Sequence, residues 1–220
     1  IALAIEEFST ASIVWIRVAI GSLVVLPLAL SQKALVPALR QWRYVLAFAV
    51  LEMVIPWALI TQAERSVSSS LAGLLITTVP FIAAFVIGVL GDRSAWHPLT
   101  VLGLVTGFAG VVALVGIDAF AGRIEILPVL MLLTAAVGYA TAPIIADRKL
   151  HNTPTLGVIT LSMILVTAIY TVPVAFTLPG DLAAMPSTEG IVAVIYLGVV
   201  ASALGFIVFF ALIKEIGPGR

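Results

Sequence analysis

The stretch LAGLLITTVPFIAAFVIGVL, residues Leu71–Leu90, is twenty residues long and has no charged side chain. A bilayer core of about 30 Å requires roughly 20 apolar residues in a helix, so this stretch predicts a membrane span. Working outward, we predict further spans at similar stretches, and Ile1–Ile5 is interpreted as the tail of a first span. The other six predicted spans are Ala11–Leu30, Tyr44–Ile60, Leu99–Ile117, Ile126–Ala146, Leu156–Leu178 and Ile191–Ile213.

The composition supports an all-α membrane protein, a polytopic helical bundle. Apolar residues make up 62% of the chain and charged residues 10%, and the mean hydropathy is +1.23. A soluble domain carries far more charge. The chain has no cysteine, and its two histidines, His97 and His151, lie in polar turns. The sequence therefore indicates no metal site, no cofactor and no disulfide. It also shows no nucleotide-binding or hydrolase motif and no basic patch for nucleic acid.

The loop charges predict the orientation in the membrane. Arg17 lies inside a span, and only Arg65 and Arg123 lie in the second set of alternate loops. The first set is rich in cations, and the positive-inside rule places it in the cytoplasm. The eight cations of this set are Lys33, Arg40, Arg43, Arg93, Arg148, Lys149, Lys214 and Arg220.

A weak internal repeat links two corners of the chain. An offset of 149 residues pairs Ala63 with Leu212 and Val67 with Ile216, so that in each case an apolar helix ends in a charged corner. The predicted orientation places the first corner outside and the second inside. A repeat that recurs upside down is typical of secondary transporters.

Four stretches resemble the EamA family of the drug/metabolite transporter superfamily. The second stretch, residues 68–93, has a proline midway and carries Asp92 near its end, where the family usually has glutamate. A role specific to glutamate therefore does not carry over. The stretches are WIRVAIGSLVVLPLAL (15–30), SSSLAGLLITTVPFIAAFVIGVLGDR (68–93), PLTVLGLVTGFAGVVALVG (98–116) and YLGVVASALGFIVFFALIKEIGPG (196–219).

This resemblance implies a bundle of ten spans in two inverted five-helix repeats. Residues 1–120 would form the first repeat, with a truncated first span, and 121–220 the second, without spans nine and ten. We therefore expect the sequence to be a fragment that does not transport as written. The resemblance also implies a bacterial inner-membrane protein whose full-length termini are cytoplasmic. Its expected partners are a small-molecule substrate and the lipid bilayer, with a homodimer left open.

Arg17 and Glu52 are the two ionisable residues well inside predicted spans, and such residues are functional candidates by default. Arg17 lies roughly 9 Å and Glu52 roughly 13 Å from the nearer end of its span, at 1.5 Å per residue. In one interpretation Arg17 binds an anionic or zwitterionic solute, and Glu52 contacts an amine or carries a proton. In the other, the two residues form a structural ion pair between helices.

Proline residues inside spans suggest where a solute path lies, because proline removes a backbone donor and interrupts the helix. The candidate path-lining residues near these prolines are Trp57, Thr77, Thr78, Pro80 and Tyr139. The alternative for the proline regions is that proline is simply commoner in membrane helices, and the alternative for Trp57 is packing. Broken helices near the midplane are where transporters build their sites.

The sequence therefore predicts a secondary transporter, and not an enzyme, that works by alternating access. By resemblance the solute is an amino acid, a related metabolite or a drug, and export is favoured over uptake. A nucleotide-sugar or triose-phosphate exchanger is an alternative that needs more cavity cations than Arg17 provides. A non-transporting membrane subunit and a membrane-embedded enzyme remain further alternatives.

Overall fold

The computed structural model describes residues 2–91, 98, 101–107, 109–110, 113 and 125–208. Within these residues six helical segments are long and apolar enough to cross a membrane. They are Thr10–Ser31, Trp42–Ala63, Ser69–Val89, Ile126–Leu150, Thr155–Ala183 and Thr188–Val208. The prediction of a polytopic all-α membrane protein is confirmed. Of the predicted span Leu99–Ile117 the structure describes residues 101–107, 109–110 and 113, which are helical.

The helices are α1 (Ala2–Ile5), α2 (Thr10–Ser31), α3 (Leu35–Arg40), α4 (Trp42–Ala49), α5 (Ile55–Ala63), α6 (Ser69–Ile76), α7 (Val79–Val89), α8 (Ile126–Leu150), α9 (Thr155–Ala183) and α10 (Thr188–Tyr196). Two π-helical segments continue from α-helices. The first, Val50–Val54, joins α4 to α5, and the second, Leu197–Leu204, follows α10. π-helical segments are rare in proteins, and those that occur often lie at functional sites.

Three spans begin at a serine that caps the helix. The side chains of Ser9, Ser68 and Ser187 accept hydrogen bonds from backbone N–H groups three residues later, at 3.3, 3.3 and 3.1 Å. Each serine has an extended backbone, as an N-cap residue requires. The sequence thus fixes the first turn of α2, α6 and α10 locally.

The described residues divide into two compact units, 1–50 with 145–220, and 51–144. In the first unit, α2 packs against α9 and against the second π segment. Gly198 permits the second of these contacts, because a Cβ atom there would lie 2.8 Å from the Cβ of Ile20 and 3.1 Å from the Arg17 carbonyl. Small residues at such a contact allow two helices to approach closely.

The second unit has a smaller core, formed by Ala63, Ala72, Leu75 and Leu132, which joins α5, α6 and α8. Gly107 packs against the ring of Phe81 in this unit, because a Cβ atom on Gly107 would clash with that ring. A Cβ atom on Gly103 or Gly110 would meet nothing within 4 Å among the described residues.

Each compact unit contains segments of both predicted repeats, 1–120 and 121–220. The repeat division concerns topology and not packing, so it stays a prediction. The two π segments are related by the offset of the weak repeat. Adding 149 to Val50–Val54 gives residues 199–203, which lie inside the second π segment. The same irregularity thus recurs at the spacing that links the two charged corners.

Candidate functional site

Arg17 is held between two spans of the first unit. It lies in the second turn of α2 and is half-buried. Its Nε donates a hydrogen bond of 2.7 Å to Ser202 Oγ, and that hydroxyl donates at 2.9 Å to the Leu197 carbonyl. This carbonyl lies five residues before Ser202, as π-helical geometry provides. The guanidinium is therefore oriented by the buried hydroxyl of Ser202, which joins α2 to the second π segment.

Glu52 lies in the middle of the first π segment. Its Oε2 is buried and has no hydrogen-bond partner among the residues that the structure describes. A buried carboxylate oxygen without a donor is costly, and such groups are retained in membranes where they bind or carry something. Glu52 is consequently the strongest candidate in the second unit for contact with a solute or a proton.

Gly138 and Pro56 surround the backbone next to Glu52. A Cβ atom on Gly138 would lie 2.5 Å from the Leu51 carbonyl oxygen and 3.0 Å from Pro56 Cγ. Glycine at this position allows α8 to pack directly on the π segment. Trp57 follows in the first turn of α5 and is 4% exposed, whereas Tyr139, next to Gly138, is half-buried.

Thr77 and Thr78 mark a break between α6 and α7. Pro80 lies in the first turn of α7, where its missing N–H interrupts no helical bond. The two threonine hydroxyls donate to the carbonyls of Leu74 and Leu75, each at 2.6 Å. Each of these carbonyls also accepts a backbone N–H, from Thr77 and Thr78 at 3.1 Å, so the hydroxyls add a second bond at the break. Thr78 is buried, whereas Thr77 and Pro80 are exposed.

The prolines differ in their effect. Pro56 and Pro80 begin new α-helical segments. Pro143 lies within α8, which continues to Leu150 without interruption. A proline within a span therefore does not by itself end the helix in this protein.

The predicted site residues are divided between the two units. Arg17 belongs to the first unit, together with Ser202. The other six, all in the second unit, are Glu52, Trp57, Thr77, Thr78, Pro80 and Tyr139. A direct Arg17–Glu52 pair and a common solute path stay predictions.

Two carboxylate contacts were not predicted from the sequence. Glu7 accepts hydrogen bonds from the backbone N–H and the hydroxyl of Ser187, at 2.6 and 2.5 Å. Asp181 Oδ2 accepts from the backbone N–H and the hydroxyl of Ser9, at 3.0 and 2.8 Å. Each carboxylate therefore satisfies the start of a distant helix. Ser9 and Ser187 were recognisable as helix starts, but their partners lie 172 and 180 positions away and left no local signal.

Three other polar residues have defined surroundings in the first unit. Trp15 Nε1 donates a hydrogen bond to Thr171 Oγ1 at 3.1 Å. Thr167 bonds within its own helix, to the Met163 carbonyl at 2.8 Å, and not across helices. Ser162 Oγ is buried and has no partner among the described residues.

The described residues contain no group of three side chains that could hold a metal ion. The sequence model of the EamA-like transporter family matches residues 1–116 and 126–220. No match was found among curated proteins or among solved structures.

Proposed function

Since this chain belongs to the EamA-like transporter family, a family of membrane transporters of the drug/metabolite type, we propose that it is a secondary carrier of a small organic metabolite. The carrier works by alternating access, and its solute is an amino acid, a related metabolite or a drug. Export is the favoured direction.

The observation that carries this proposal is the position of Arg17. A guanidinium in a span is expensive unless the protein uses it or neutralises it. Here its Nε is fixed by Ser202, so the orientation of the side chain is set before any solute arrives. A guanidinium presents further donors on its terminal nitrogens in a fixed fork, which suits a carboxylate. Arg17 is accordingly proposed to bind the carboxylate end of the solute.

Alternating access is supported by the irregular helices. Two π segments and the Thr77–Thr78 break interrupt spans within their length. Such interruptions free backbone groups at membrane depth, where transporters place their sites. The agreement of the two π segments with an offset of 149 residues supports the inverted repeat on which this mechanism depends.

Glu52 is proposed to act as the proton or amine contact, because a buried oxygen without a described partner needs one. A Glu52→Gln variant keeps the shape of the side chain and removes the charge. If Glu52 carries the coupling proton, this variant loses the pH dependence of transport. Unchanged pH dependence in an active Glu52→Gln protein would remove Glu52 from the coupling step.

The test is counterflow of radiolabelled amino acids into vesicles that contain the reconstituted full-length protein, since the sequence as written is expected not to transport. Arg17→Ala is compared with Arg65→Ala, which removes the same charge from an exposed corner. Carboxylate binding by Arg17 predicts that counterflow is lost in Arg17→Ala and retained in Arg65→Ala. Equal flux in wild type and Arg17→Ala would instead make Arg17 a structural residue. Lack of flux for amino acids, and then for cationic drugs, in the wild type would contradict the carrier assignment.

A further inference from the structure

A pocket lies where the chain enters the second described span. Helix α3 ends at Arg40, Gln41 interrupts the helical path, and α4 begins at Trp42. The corner formed by these residues encloses about 300 Å³. It is lined by Arg40, Gln41, Trp42, Arg43 and Tyr44, which we name the Arg40–Tyr44 corner. Two guanidinium groups and two aromatic rings therefore border one concave surface.

A third cation reaches this corner from another helix. Lys149 Nζ, in the last turn of α8, lies 5.7 Å from the centroid of the Tyr44 ring. The Arg43 guanidinium lies at the same distance, 5.7 Å, from the Trp42 ring centroid. Cations at this distance from an aromatic face are attracted to it. The Trp42 and Tyr44 rings thus attract the cations to the corner, and no acidic side chain is among the five residues that line it.

The positive charge at the corner is not neutralised by a described residue. No described carboxylate forms an ion pair with Arg40, Arg43 or Lys149. This includes Asp147, the acidic residue two positions before Lys149 in the sequence. An anion that enters the pocket therefore meets Arg40 and Arg43, with Lys149 beside the Tyr44 ring, and no carboxylate lines the pocket among the described residues.

The location of the corner identifies the kind of anion. Trp42 begins one candidate span, and Lys149 lies at the end of another. Trp42 and Tyr44 are 49% and 41% exposed, as residues at a membrane–water boundary are. At this depth the abundant anions are the phosphates of lipid headgroups, and basic pockets beside spans bind them. A free phosphate in solution would gain nothing from the adjacent apolar surface.

We propose that the Arg40–Tyr44 corner is a binding site for the headgroup of an anionic phospholipid. Arg40 and Arg43 donate hydrogen bonds to the headgroup phosphate, and Lys149 adds charge. Trp42 and Tyr44 contact the glycerol backbone and the first carbons of the acyl chains. This site is independent of the proposed transport function and of the solute.

The experiment measures quenching of Trp42 fluorescence by brominated lipids around the reconstituted protein. Brominated phosphatidylglycerol is compared with brominated phosphatidylcholine in mixed vesicles, and a Trp42→Phe variant supplies the signal of the remaining tryptophans. One cation near an anionic surface changes binding by about fivefold. We expect Trp42 to prefer phosphatidylglycerol by roughly fivefold or more.

The variants separate a site from general surface charge. Arg40→Gln/Arg43→Gln should reduce this preference to near one, and both residues are exposed, so the fold is retained. Lys33→Gln/Arg148→Gln removes two cations from the same set of loops and should keep the preference. Equal loss in both double variants would overturn the proposal, as would a wild type without preference. Competition by inorganic phosphate alone, at concentrations comparable with the lipid, would overturn the assignment to a lipid.

Discussion

Replacement of Gly138 by alanine tests the contact between α8 and the first π segment. The new Cβ would lie 2.5 Å from the Leu51 carbonyl oxygen, whereas real Cβ contacts essentially never fall below 3.0 Å. The two backbones must therefore separate by at least about 0.5 Å. The obstacle is a backbone atom, which cannot rotate away as a side chain can, and forced repacking of this kind costs about 1–3 kcal/mol.

Part of that cost is offset because alanine is the better helix former, by roughly 0.5–1 kcal/mol. We therefore expect Gly138→Ala to lose about 0.5–2 kcal/mol of unfolding free energy. Thermal unfolding of the detergent-purified protein, followed by tryptophan fluorescence, should show a lower midpoint than wild type.

The matched control is Gly73→Ala, in α6 of the same unit. Gly73 is exposed, and a Cβ there would meet nothing within 4 Å. The same chemical change should therefore leave the midpoint unchanged or raise it. A Gly138→Ala protein as stable as Gly73→Ala would show that α8 does not approach Leu51 this closely. Because Leu51 precedes Glu52, we also expect Gly138→Ala to impair transport more than Gly73→Ala does.

Two further predictions concern hydrogen bonds between distant helices. Glu7→Gln removes a charged acceptor of two hydrogen bonds at the start of α10, and should cost about 1–2 kcal/mol, because bonds to charged groups are worth more than neutral ones. Glu6→Gln, at an exposed position, is its control in the same thermal unfolding assay, and equal effects of the two would refute the capping role. Ser202→Ala removes the acceptor of Arg17 Nε and should raise the apparent KM about two- to tenfold with little change in maximal rate. Ser162→Ala, which removes a buried hydroxyl without a described partner, should leave KM unchanged, and a Ser202→Ala protein with wild-type KM would refute the positioning of Arg17.

Much of the site could be anticipated from residue type alone. Arg17 and Glu52 were identifiable because a charge within an apolar stretch is rare and costly in a membrane. Pro56 and Pro80 were identifiable as helix interruptions because proline lacks a backbone donor. Pro143 shows the limit of that argument, since α8 continues through it to Leu150.

Other features had no signal in the sequence. The π segments depend on how a helix accommodates its neighbours: Glu52 marks Val50–Val54 as unusual but does not indicate a π turn, and Leu197–Leu204 is ordinary apolar span sequence. The Arg17–Ser202 bond and the Glu7–Ser187 bonds join residues 185 and 180 positions apart. Only one partner of each pair is conspicuous in the sequence.

The sequence by itself determined that the chain spans a membrane, where its spans lie and which side chains are costly within them. These properties are local, because hydropathy, capping serines and prolines act through neighbouring residues and through the bilayer. The tertiary structure alone decided which hydroxyl orients Arg17, that Glu52 Oε2 has no partner among the described residues, and that Arg40, Arg43 and Lys149 meet at one corner. Those relations depend on packing between helices far apart in the sequence, which no local pattern of residues encodes.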